Sequence, residues 1–214
     1  MKKIIDGKID ENQYDNALCK ILWILKEANI SQGDKEKKID ICEAFREDWH
    51  IKNALAVPTF RKMIYATYGI LNPSVEWQDV PFANKEAYNV IKQIAYININ
   101  KYPANSRSND VYLKKVYDDN KIELLQQINE LNPNVIVFGN TFMHFEYEDL
   151  DKIGCPISKT EKKYADDTTH NTAYYKISSD KLCINAYHPS YPSIADKVYY
   201  NEIRKAFSDW KSNK

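Results

Sequence analysis

Glycine is scarce, with five residues in a chain of 214. Backbone that must approach a phosphate closely, or turn sharply behind a nucleophile, favours glycine. Neither the Gly-x-Ser-x-Gly elbow nor a phosphate-cradling glycine loop occurs, so an unrelated α/β hydrolase using His188 has little to work with. The four cysteines, Cys19, Cys42, Cys155 and Cys183, are scattered, with no Cys-x-x-Cys pair and no histidine at zinc spacing. That excludes a zinc finger or a secreted disulfide framework and predicts reduced, mostly buried thiols. No metal or cofactor is expected.

A run of about eighteen uncharged apolar residues, the minimum for a membrane helix, is also missing. The opening Met1-Lys2-Lys3-Ile4-Ile5-Asp6 lacks the apolar stretch of a signal peptide, so the expectation is a cytoplasmic protein with no membrane partner. Neither sign of charge dominates: Lys plus Arg and Asp plus Glu are both 30, and the net charge is zero. A broadly basic coat for DNA is excluded, whereas a local basic groove is not.

What is present fits a folded domain. Hydrophobic residues at 43% and charged residues at 28% match globular averages, and the length suits one core, so a single domain over 1–214 is expected. The 16 tyrosines suit interfaces and base stacking alike.

Along the chain, residues 9–18 read as a helix, and Lys20-Ile21-Leu22-Trp23-Ile24-Leu25 as a first buried strand ending at a polar lip. Residues 31–38 read as an exposed loop. Helical spacing returns over 39–71, broken at Pro58. Ile94 to Ile99 reads as a second strand followed by a polar segment, Val111 to Leu131 as one or two helices, and Val135-Ile136-Val137-Phe138-Gly139 as the clearest strand. Residues 173–177 suggest a further strand, Lys181 to Ala186 another, and Tyr199 to Trp210 a closing amphipathic helix. Strands alternating with helices predict an α/β fold with a parallel or mostly parallel sheet covered on both faces. Ligands then sit beyond the carboxyl ends of the strands, where Glu27, Asn98, Asn140 and His188 fall.

Each of these residues has its own chemistry. Pro189 fixes the backbone beside His188, and an imidazole there can donate to an oxygen gaining negative charge. A carboxylate such as Glu27 can orient or deprotonate water, and an amide such as Asn98 can pair bidentately with a base edge. Singly, each is also an ordinary turn, loop or cap residue.

The ordered set carries more. Leu25-Lys26-Glu27-Ala28, then Tyr96-Ile97-Asn98-Ile99-Asn100-Lys101, then Pro133-Asn134-Val135-Ile136-Val137-Phe138-Gly139, then Tyr187-His188-Pro189-Ser190 resembles the uracil-DNA glycosylase superfamily from about residue 20 to 195. The resemblance implies a three-layer α/β/α domain with a central, mostly parallel sheet of four to five strands and a helical insertion at about 39–71. It implies a monofunctional DNA glycosylase of base excision repair that flips out uracil or a related damaged or modified base and hydrolyses its N-glycosidic bond. Glu27 would take the water-positioning or cation-stabilising place, and Asn98 that of the base-reading amide, with Asn100 the alternative if the register slips. His188 would donate to the pyrimidine O2. Pro189, Ser190 and Tyr191 would press on DNA as far as Ser193, with Lys101 among the phosphate contacts beside Arg107, Lys114 and Lys115, or Lys35, Lys37 and Lys38.

The first motif lacks both family glycines and the proline, Lys26 standing where one glycine is expected. Trp49, Phe60 and Phe82 are the candidates for the aromatic that stacks on the flipped base. The cysteine spacing of the iron-sulfur branch is absent. DNA, single- or double-stranded, is the expected partner, and the protein is expected to act as a monomer. The alternative function is a catalytically inactive nucleic-acid or nucleotide binding protein on the same fold.

Overall fold

The computed structural model describes residues 2–29, 39–46, 51–104, 109–156, 161–164, 172–178 and 180–212. Its chain order is β1 (Gly7–Lys8), α1 (Glu11–Asp15), β2 (Ile21–Asn29), α2 (Glu43–Arg46), α3 (Ile51–Ala56), α4 (Pro58–Leu71), α5 (Lys85–Asn89), β3 (Ile94–Ala104), α6 (Asp110–Leu131), β4 (Val135–Gly139), α7 (Tyr147–Lys152), β5 (Glu161–Tyr164), β6 (Thr172–Lys176), β7 (Leu182–Ala186) and α8 (Asp196–Ser212).

Among the described residues the strands form one mixed sheet of seven, in the order β1-β3-β2-β4-β7-β6-β5. The expectation of a mostly parallel four- to five-stranded sheet is corrected here. The four apolar strands β3, β2, β4 and β7 are mutually parallel, but β1, β6 and β5 join at the two edges through antiparallel pairings. The connection 177–181 between β6 and β7 is far shorter than the dozen or so residues that a parallel crossover needs, so a hairpin is the accessible solution.

Alternation along β2 divides the interior. Ile21, Trp23 and Leu25 pack into one apolar cluster with Met63, Ile64 and Ile70 of α4 and Tyr199, Tyr200 and Ile203 of α8. Leu22 and Ile24 enter a second with Leu113, Tyr117 and Ile128 of α6 and with Leu150 of α7. Helices thus flank the sheet. The region 39–71 supplies α2, α3 and α4, and α4 is a core helix: Pro58 stands at its start, where no N–H is needed. Gly69 lets it approach α8, since a Cβ there would lie 2.8 Å from the Tyr200 ring. Helix α6 is a single helix, capped by the Asn109 side chain on the Val111 and Tyr112 amides and ended by left-handed Asn132 before Pro133.

Two further readings change. The first strand was expected to end at Leu25 and the second at Ile99, yet β2 runs to Asn29 and β3 to Ala104. Their polar ends pair with each other, Glu27 opposite Asn100, so the ladder continues past the apolar runs until its register shifts between Glu27 and Asn29. The thiols of Cys155 and Cys183 are joined as a disulfide, with the Cα atoms 6.8 Å apart; Cys19 and Cys42 are not disulfide-bonded. Packing of the segment after α7 over β7 makes that meeting, which spacing could not show. Among the described residues, no helix is long and apolar enough to cross a membrane.

Candidate functional site

At the carboxyl ends of the parallel strands the chain is tied down closely. Asn140, left-handed at φ 56°, donates its N–H to the Ala186 carbonyl at 2.8 Å, and the buried Thr141 hydroxyl donates to the Ile24 carbonyl at 2.9 Å. Gly139 leaves no room to spare: a Cβ on it would lie 2.4 Å from Leu25 Cδ2 and 3.1 Å from Pro189 Cδ. Absence of that one carbon lets the loop after β7 settle onto the end of β4.

The loop turns at once. The Tyr191 N–H donates to the His188 carbonyl at 2.8 Å, and the Ser190 N–H donates to His188 Nδ1 at 3.1 Å, with Ser190 Oγ 2.7 Å from the same nitrogen. A ring nitrogen that accepts from an amide carries no proton, so the neutral ring bears its hydrogen on Nε2. Burial, with help from the ammonium groups of Lys26 and Lys62, pushes the imidazole pKa down to about 4. Near neutral pH, His188 is an uncharged Nε2–H donor.

A cleft of about 930 Å³ opens beside it, lined by Lys26 and Glu27 of β2, Phe60 of α4, Tyr96 of β3, and His188, Ser190 and Tyr191. Glu27 and His188 are therefore brought together, as expected. Asn100 is not a free reader of base edges: its Nδ2 donates to Glu27 Oε2 at 3.4 Å and its Oδ1 accepts from the Tyr102 N–H at 3.0 Å. Its part is to hold the carboxylate.

Asn98 lies elsewhere than expected. Set within β3 and opposite Leu25, it is fully buried and outside the cleft wall. Its N–H donates to Asp6 Oδ2 at 2.8 Å, its Nδ2 to the Tyr96 hydroxyl at 3.4 Å, and its Oδ1 has no hydrogen-bond partner among the described residues. Tyr96 stands between this amide and the cleft. Lys101 is likewise turned inward, 8% exposed, with Nζ 2.8 Å from both Asp6 carboxylate oxygens and 2.7 Å from Gln127 Oε1. It is an internal ion pair rather than a phosphate contact, because antiparallel β1 brings Asp6 beside it.

Of the loop expected to touch DNA, Pro189 is buried against Gly139, whereas Ser190 and Tyr191 are exposed, the Tyr191 ring stacked on Tyr187 at 5.4 Å. Lys114 is engaged by Asp118 and Glu146, Lys115 is exposed, and Arg107, Lys35, Lys37 and Lys38 lie outside the described residues. Among the aromatic candidates, Phe60 lines the cleft, edge-on to Phe45 at 4.8 Å and Tyr96 at 6.3 Å. Phe82 packs instead on Trp77 and Tyr65, and Trp49 is outside the described residues.

Sequence reasoning missed three basic groups here. Lys26 is 8% exposed, with Nζ 2.6 Å from Asp110 Oδ1. His144 is buried after β4, its Nε2 3.8 Å from the same oxygen. Lys62, 4% exposed, donates to the Tyr191 carbonyl at 2.9 Å. A lysine inside the apolar stripe of α4 was the available signal for Lys62; nothing local marked His144. Among the described residues, no group of three His, Cys, Asp or Glu side chains could hold a metal ion. Comparison with family models, with curated proteins and with solved structures finds no match for this chain.

Proposed function

We propose that this cleft hydrolyses the N-glycosidic bond of uracil, or of a related damaged or modified base, flipped out of DNA. The observation that carries the reading is the meeting of a carboxylate, Glu27, with a neutral Nε2–H donor, His188, in one cleft beyond the ends of parallel strands. The cleft's volume exceeds that of a pyrimidine nucleotide several-fold. The four-motif order that resembles the uracil-DNA glycosylase superfamily supports the same reading, and the four motif-bearing strands are adjacent and parallel.

In the reaction the bond between C1′ and the base nitrogen breaks heterolytically and its electron pair leaves with the base. Water oxygen bonds to C1′, one water proton passes to Glu27, and the departed base regains a proton. The sum is base release and an abasic sugar. A carboxylate near C1′ and a donor at the carbonyl oxygen stabilise opposite charges. Asn100 holds Glu27, Ser190 holds His188, and Phe60 is the one of the three aromatic candidates that lines the cleft. The partner would be DNA, single- or double-stranded, and the protein would act as a monomer in the cytoplasm.

Release of free base from a uracil-containing oligonucleotide, and from a panel of modified bases, tests the proposal. Wild-type activity with severe loss in Glu27→Gln and His188→Ala is the expected result; inert wild type across the panel overturns it. A second reading, a binding module without catalysis, is favoured by the burial of Asn98 behind Tyr96, which withholds the amide from a ligand. Retention of oligonucleotide with no base release would select it.

A further inference from the structure

Lys26 occupies the place of a family glycine in the first motif, and no part of the reaction above uses it. Successive residues of β2 point to opposite faces, so Glu27 leaves the strand on the side of Leu25 and Lys26 on the side of Ile24 and Leu22. Both nevertheless line the cleft, whose wall takes in the last residues of β2 from Leu25 to Asn29. One strand end thus supplies a carboxylate and an ammonium to the same space.

The ammonium of a lysine that is only 8% exposed is costly unless it is paired. Its partner is Asp110, in the first turn of α6, at 2.6 Å. The Asp110 side chain is 59% exposed against 10% for Lys26, so water screens the carboxylate more than the ammonium. The positive charge is therefore incompletely cancelled on the protein side. It is felt at both neighbouring imidazoles, His188 and His144, where it adds to burial in disfavouring protonation. In a chain of zero net charge this is a local potential, set at the end of the cleft that holds His188.

We propose that the ammonium of Lys26 is a second anion-stabilising group of the cleft, meeting the negative charge that accumulates on the departing base beside the Nε2–H of His188. The inference rests on the glycosidase reading. Heterolysis leaves the electron pair on the base ring and spreads it to the carbonyl oxygens; a fixed ammonium stabilises that anion, not the neutral bound base, so it acts on the rate. Glu27 and the attacking water keep the roles given above.

The test is single-turnover base release from oligonucleotides carrying 2′-deoxyuridine or 5-fluoro-2′-deoxyuridine, whose ring fluorine itself stabilises the anion. Lys26→Met should slow uracil release by about a hundredfold, the lower end of the scale for one lost electrostatic group. The loss should be distinctly smaller for 5-fluorouracil, and Lys26→Arg should restore most of the rate. Wild-type rates in Lys26→Met, or the same loss factor for both bases, overturn the inference and leave base release standing. Should Lys26→Met fail to fold by circular dichroism, Asp110→Asn decides: keeping the ammonium without its carboxylate should leave uracil release as fast as wild type or faster, and a slowing equal for both bases overturns the idea. No release of either base by the wild type removes the glycosidase reading, and this inference with it.

Discussion

The Ser190 amide donates to Nδ1 of His188 at 3.1 Å, and this bond decides which nitrogen of the neutral ring carries the proton. The Ser190 hydroxyl, 2.7 Å from the same atom, reinforces it but is not required for it. His188→Ala should lower the rate of base release by about two to three powers of ten, the cost of an oxyanion-type donor. Ser190→Ala keeps the backbone amide and should lose no more than about tenfold, in line with one modest hydrogen bond. Single-turnover kinetics on both variants check the ranking; equal losses would place the tautomer control in the hydroxyl.

The low pKa of His188, about 4, has a direction for both activity and stability. Against an unfolded value near 6.5, the folded state binds fewer protons in between, so stability is complete above roughly pH 6.5 and is lost as pH falls toward 4. Base release should stay flat with respect to this group through neutral pH and decline only as pH falls toward 4. Replacing Lys26 or Lys62 by Met removes a repelling cation and should raise the imidazole pKa, which NMR titration of the His188 ring would follow.

The buried pair of Lys101 with Asp6 should behave as structure, not as DNA contact. Lys101→Met leaves the Asp6 carboxylate, 2% exposed, facing Gln127 and the Asn98 amide without its cation. Loss of about 3–5 kcal/mol in urea denaturation is expected for one partner of a buried pair. The slope of oligonucleotide affinity against salt should not change in folded protein. A flattened slope with unchanged stability would return Lys101 to the DNA surface.

Gly139→Ala tests the seating of the loop. A methyl group 2.4 Å from Leu25 and 3.1 Å from Pro189 must push one of them away, at about 1–3 kcal/mol for overpacking. Because Pro189 follows His188 directly, catalysis should fall more than stability. Thermal melting beside kinetics separates the two; a stable variant with full activity would mean that the loop is not positioned by this contact.

Legibility in the sequence followed apolar pattern. The runs that became β2, β3, β4 and β7 stand out because strands buried on both faces tolerate little else, and their carboxyl ends located the cleft with Glu27 and His188 in it. Strand limits were misjudged where polarity was taken as an end. Glu27 and Asn100 continue the ladder as a pair, and for that reason Asn98 sits inside β3 and not on its rim. The pairing of β1 with β3, the disulfide of Cys155 with Cys183 and the inward turn of Lys101 toward Asp6 depend on partners 28 or more residues away, beyond the reach of any local pattern.

By itself the sequence determined the α/β alternation, the four central strands and the placing of His188 after the last of them, since periodicity and the fixed backbone of Pro189 are local properties. Only the tertiary structure decided that His188 is a neutral donor, that Asn98 is screened by Tyr96, and that Lys26 shares the cleft. Protonation and access are set by what surrounds a group, and those surroundings come from strands and helices far apart in the chain.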